Sequence, residues 1–245
     1  MRFYPLSLLL LATGLLAACR PTFDGTLFQD VRVIDGTGSA SYSGSVRVVD
    51  GRILEVGELT PRAGETVVNG GGAVLSPGFI DTHSHHDRGL LGDMRSARAV
   101  VSQGVTTVIL GQDGGSQYPL ADFFTQAEAT PPAVNVASYT GHAVLRRKAM
   151  GDDLMRAATP LEVDSMSVLL RADMEQGSFG LSTGLEYSAG FNSTTDEIIS
   201  LARVAADYDG RYISHIRSED RTFWDAIDEI LFIGSEAGLP VQVSH

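Results

Sequence analysis

Short apolar runs with a period of two fill residues 24–73. Val31-Arg32-Val33-Ile34 reads as a strand that ends in the turn Asp35-Gly36-Thr37-Gly38. Val46 to Val49, then Asp50-Gly51, then Ile53 to Val56 reads as a hairpin, because Asp-Gly supplies the positive φ of a tight turn. Val67-Val68 then leads into Gly70-Gly71-Gly72. The pattern predicts a small β-sandwich module over residues 19–73. From residue 74 the rhythm changes. Apolar strand candidates at 79–81, 106–110, 133–138, 179–182, 211–214 and 241–244 alternate with amphipathic stretches. Thr159-Pro160-Leu161-Glu162 is a capping box with Pro at the first helical position, and Val163, Met166, Leu170 and Met174 follow on one face. Thr194 to Glu197 is a second capping box. Trp224, Ile227 and Leu231 mark the apolar spacing of a third helix over 222–237.

Strand–helix alternation predicts a parallel α/β sheet with right-handed crossovers. Six strands over 74–245 fit part of a TIM-like (β/α)8 barrel, which needs eight strands and typically ~250 residues. An open doubly wound sheet is the alternative. A chain that stops at His245 in a strand leaves an apolar sheet edge unpaired, so the sequence reads as a fragment or a truncated product.

Composition narrows the function. Lys and Arg number 18 against 30 acidic residues, a net charge of −12, which argues against nucleic acid as a partner. The single cysteine, Cys19, excludes an internal disulfide and a thiolate-rich metal cluster. Residues 1–18 read as a targeting segment. Arg2 precedes an apolar run from Leu6 to Ala18, about 20 Å as a helix and short of the ~30 Å hydrocarbon core. Leu16-Ala17-Ala18-Cys19 resembles a bacterial lipobox. That implies cleavage before Cys19, lipidation of Cys19, and a membrane anchor in the cell envelope facing the periplasm or exterior. Arg20 favours the outer membrane. An ordinary signal peptide with an incidental Cys is the alternative.

The strongest chemical signal is Pro77-Gly78-Phe79-Ile80-Asp81-Thr82-His83-Ser84-His85-His86-Asp87. Alternate residues of an extended strand share a side, so His83 and His85 project together and can converge on one metal ion. His86 points the other way. In a parallel barrel this strand end is the active-site face. A chance surface cluster is the bland alternative.

With this run the chain resembles the amidohydrolase superfamily. Further along stand Gly104-Val105-Thr106-Thr107-Val108, Thr140-Gly141-His142, Gly180 to Tyr187, Ser214-His215-Ile216-Arg217-Ser218-Glu219 and Val241 to His245. In that order they are similar to the D-aminoacylase (N-acyl-D-amino-acid deacylase) branch. The resemblance implies a metal-dependent barrel in which one or two divalent ions, Zn2+ in the first instance, activate water against the amide of an N-acyl-D-amino acid. A carboxylic acid and a D-amino acid are the products.

Carried over by position, the resemblance makes His83, His85, His215 and His245 metal ligands. The family places a zinc-binding Cys in Gly-Asn-Cys-Gly after the second barrel strand. This chain has Gly111-Gln112-Asp113-Gly114, so Asp113 is either the replacement ligand or a turn residue. Glu186 is a second candidate carboxylate. Tyr187 stands as an oxyanion donor or as packing, and His142 as a substrate contact. Asp87 is placed to orient a ligand histidine, and Arg217 with Glu219 can form a mutual salt bridge. The family's catalytic Asp on the eighth strand has no counterpart here, which predicts that this stretch alone is inactive. Two other functions compete. One is another amidohydrolase, either a dihydropyrimidinase-like cyclic-amide hydrolase or a dipeptidase acting on D-residues. The other is a non-catalytic lipoprotein that keeps the scaffold.

Overall fold

A computed structural model describes residues 23–245 apart from Asp93. The targeting segment 1–18 and the lipidation site Cys19 lie outside the described residues. The chain divides into two compact units between Pro77 and Gly78.

In the first unit, β1 (Thr26–Val33), β2 (Tyr42–Val49), β3 (Arg52–Gly57), β4 (Thr66–Asn69) and β5 (Val74–Leu75) join one five-stranded sheet. The β2–β3 hairpin turns at Asp50 (φ 48°) and Gly51 (φ 71°), the left-handed pair that Asp-Gly favours. The unit reaches beyond residue 73 because β5 pairs in parallel with β1. Val31, Val33 and Val46 form its apolar core. Arg47, 2% exposed, is held there by Glu65, Glu55 and the Thr60 carbonyl.

In the second unit every strand pair is parallel. β6 (Phe79–Asp81), β7 (Val105–Leu110) and β8 (Asn135–Ser138) are neighbours in that order, as are β9 (Thr140–Gly141), β10 (Gly180–Gly184), β11 (Arg211–His215) and β12 (Val241–Val243). Residues 135–141 join both sets. Tyr139 N–H donates to the Leu110 carbonyl and Phe179 N–H to the Ser138 carbonyl. The strands therefore neighbour one another in chain order with helical crossovers, the order of a (β/α)8 barrel in part. A doubly wound sheet would reverse its order at a switch point.

The crossovers are α1 (Met94–Val101), α2 (Leu120–Ala129), α3 (His142–Met150), α4 (Pro160–Glu175), α5 (Ser188–Phe191), α6 (Thr195–Ala206) and α7 (Phe223–Ala237). At α4 both halves of the capping box form between Thr159 and Glu162. At α6 only the Thr194 half forms, because the Glu197 carboxylate turns to other partners. In α7 the buried face is Ala226, Ile230, Ile233 and Gly234, while Trp224 and Leu231 face outward. Of the three residues marked by the apolar spacing, only Ile227 packs against the core. The main core packs Leu170, Leu181, Ile198, Tyr212 and Ile233 between strands and helices. Among the described residues no helix is long and apolar enough to cross a membrane.

Candidate metal centre

The strands deliver side chains to one end. β6 ends at Asp81 and the chain bends at Thr82 and His83, where His83 N–H donates to Asp81 Oδ1 at 3.2 Å, so the strand does not run on through the histidines as the sequence suggested. Ser84 N–H donates to the Ile109 carbonyl at 3.1 Å. His83 and His85 still converge, with their Nε2 atoms 3.2 Å apart. His86 turns away to Ser84 Oγ at 2.7 Å. His215 is the last residue of β11. His245 follows β12, where Ser244 N–H still donates to the Ser214 carbonyl. The His215 and His245 rings are 4.9 Å apart, and those of His83 and His245 5.4 Å.

Asp113 stands between them. Its Oδ2 lies 3.1 Å from His85 Nε2, 3.3 Å from His83 Nε2 and 3.9 Å from His245 Nε2. His83, His85 and Asp113 can share one ion, and so can Asp113, His215 and His245. Asp113 Oδ1 and His83 Nδ1 are buried with no hydrogen-bond partner. Buried polar atoms are normally satisfied, so a carboxylate with an unpartnered oxygen whose other oxygen meets converging imidazole nitrogens fits a cation.

Backbone contacts fix that carboxylate. Asp113 has φ 54°, a conformation Asp tolerates better than most residues. Gly141 and Gly184 press on the loop, and a Cβ on them would overlap the Gly114 and Asp113 carbonyls. Gly111 N–H donates to Asp87 Oδ2 at 3.2 Å, Gly114 N–H to Ser182 Oγ at 3.2 Å and Ala143 N–H to the Gly114 carbonyl at 2.9 Å. Asp87 therefore braces the Asp113 loop rather than a histidine. Burial pushes its carboxyl up, against the Gly111 bond that lowers it.

Three groups flank His215. Glu186 Oε2 is 3.2 Å from its Nε2, and Tyr187 Oη is 3.2 Å from its Nδ1. Burial, then the charges of Asp113, Glu219 and Glu186, pushes the Tyr187 hydroxyl up, so it keeps its proton. Glu219 reaches His215 and His245, not Arg217 as expected. Arg217 pairs with Glu229 instead, at 2.9 Å.

His142 is a correction. It is the first residue of α3, wholly buried, with Nε2 2.8 Å from Glu197 Oε1. The ring is enclosed in the fold and faces Glu197, where a substrate contact was expected. Burial pushes its pKa down, against the pull of Glu197. Arg146 holds both Glu197 oxygens, at 2.6 and 2.7 Å. Burial raises the Glu197 pKa, but His142 and Arg146 together outweigh it and the net shift is downward.

The model of the Amidohydrolase family matches residues 66–245, which carry every residue of this centre. The chain belongs to the amidohydrolase family. Among amidohydrolase relatives, a D-aminoacylase of Alcaligenes xylosoxydans xylosoxydans is 36% identical over 87% of this chain and 48% of its own length. The solved N-acyl-D-glutamate deacylase from Bordetella bronchiseptica, complexed with zinc and a phosphonate inhibitor, superposes with a TM-score of 0.84. It is 34% identical, over 90% of this chain and 50% of that one. A D-aminoacylase structure described by its binuclear metal centre gives 0.83 at 33% identity, over 89% of this chain and 52% of that one. This amidohydrolase chain spans about half the length of the curated relatives it matches. Beside His85 it opens a cleft of about 460 Å³, walled by Gln112, Gln117, Val144 and Arg147.

Proposed function

We propose that the protein to which this chain belongs hydrolyses the amide of N-acyl-D-amino acids with one or two divalent cations, zinc foremost. His83, His85, Asp113, His215 and His245 would hold them. The observation that carries the reading is the Asp113 carboxylate, in reach of the Nε2 atoms of His83, His85 and His245. When bound, the cation supplies a Lewis acid that acidifies water and polarises a carbonyl oxygen. The chain's own groups do the rest. The imidazoles and Asp113 form a mixed nitrogen and oxygen donor set suited to a borderline cation. Tyr187, protonated beside His215, can donate to a developing oxyanion. The cleft beside His85 gives part of the substrate a place to lie.

Elemental analysis after zinc dialysis, with a panel of N-acyl-D-amino acids, hydantoins and D-dipeptides, tests the reading. It expects about one to two bound equivalents and release of free D-amino acid. His85→Ala and His215→Ala should lose both. A protein that binds no zinc and cleaves nothing overturns the reading, and turnover of hydantoins alone moves it to cyclic amides. The envelope anchor at Cys19 is part of the same proposal and is supported by Leu16-Ala17-Ala18-Cys19. Cys19→Ser should release the protein from the membrane fraction. Unchanged membrane retention would remove the anchor.

A further inference from the structure

Glu219 lies in the turn between β11 and α7, four residues after His215. Its Oε1 is 2.9 Å from His245 Nδ1 and 3.6 Å from His215 Nδ1. The opposite nitrogen of His245, Nε2, faces Asp113 Oδ2. Nearby charges do not compete for this carboxylate. Arg217 is held by Glu229, and Asp220 accepts from Ser218 and from the Arg221 N–H. A neutral imidazole that offers the Nε2 lone pair to a cation must carry its proton on Nδ1. A carboxylate that accepts that proton's hydrogen bond selects this tautomer and sets the ring's orientation.

We propose that Glu219 is the positioning residue for His245: it accepts the Nδ1–H and so turns Nε2 toward Asp113 and the metal. The inference rests on the metal reading above. It assigns Glu219 a role outside the Asp113-centred ligand set, because its close contact is to a ring nitrogen on the far side from Asp113, although Glu219 with Glu186 and His215 also forms a group that could hold an ion.

Zinc affinity of the full chain, measured by competition with a chromogenic chelator, tests this on wild type, E219A and E219Q. The side chain is 35% exposed, so both variants should fold, and thermal melts of the metal-free proteins check this. E219A should bind zinc about 10- to 100-fold more weakly. E219Q retains an acceptor oxygen and should recover most of the affinity, with metal-free melting unchanged in both. Wild-type affinity in E219A overturns the proposal. So does equal loss in E219A and E219Q, which would make the carboxylate itself a ligand. A wild-type chain that binds no zinc strikes down the metal reading, and this proposal with it.

Discussion

At the scale of the residue, Asp113 and Glu197 are two carboxylates with opposite surroundings. Asp113 points Oδ2 at the imidazoles and keeps its buried Oδ1 without a hydrogen-bond partner. Asp113→Ala should therefore weaken zinc binding by more than about 100-fold, beyond the loss typical of an outer hydrogen-bond partner. Isothermal titration of the full chain measures it. Glu197 is fully engaged, by His142 and both contacts from Arg146. Glu197→Ala would leave Arg146 buried without its counter-charge and should cost about 3–5 kcal/mol in denaturant unfolding. Replacing Arg146 as well should recover part of the loss. A full cost in the double variant would show that the ion pair is not the source.

Elements position these residues, and their ends matter most. Gly141→Ala places a Cβ against the Gly114 carbonyl and should displace Asp113, lowering zinc affinity while far-ultraviolet circular dichroism stays native. The start of α4 predicts a pH effect. The Arg156 guanidinium, with the Thr159 N–H and hydroxyl, holds Glu162 down at about 2 against an ordinary 4.5. A depressed carboxyl stabilises the fold above its unfolded pKa, so this contribution fades as pH falls from about 4.5 toward 2. Glu162→Gln should flatten the stability profile in that window, as measured by urea unfolding at stepped pH. The convergence of the histidines was legible in the sequence, because His83 and His85 directly follow β6 and the strands closing on His215 and His245 survive any crossover geometry, although the chain bends at Thr82 and His83 where strand alternation was expected. The role of Glu219 was not, since it needs β12 to finish beside β11. His142 misled because its register depends on where α3 begins. One residue of difference sends the ring inward to Glu197, 55 positions away. On α7 the apolar stripe is wide, so spacing alone could not tell Ile230 and Ile233 from Trp224 and Leu231.

Across the whole molecule, charge and topology act together. A net charge of −12 creates a field that draws cations. Stopped-flow zinc uptake should slow about 10-fold or more between low and high salt, and a salt-independent rate would show that local groups alone set it. The order of the strands has a mechanical outcome as well. The converging side chains come from the ends of β6, β7, β11 and β12, and residues 83 and 245 meet across nearly the whole second unit. A cation gripped there would act as a rivet through four staves, so that letting go of any one of them means letting go of the ion. Occupancy and resistance to unfolding then rise together, by about 1.4 kcal/mol for each tenfold excess of free zinc over its dissociation constant.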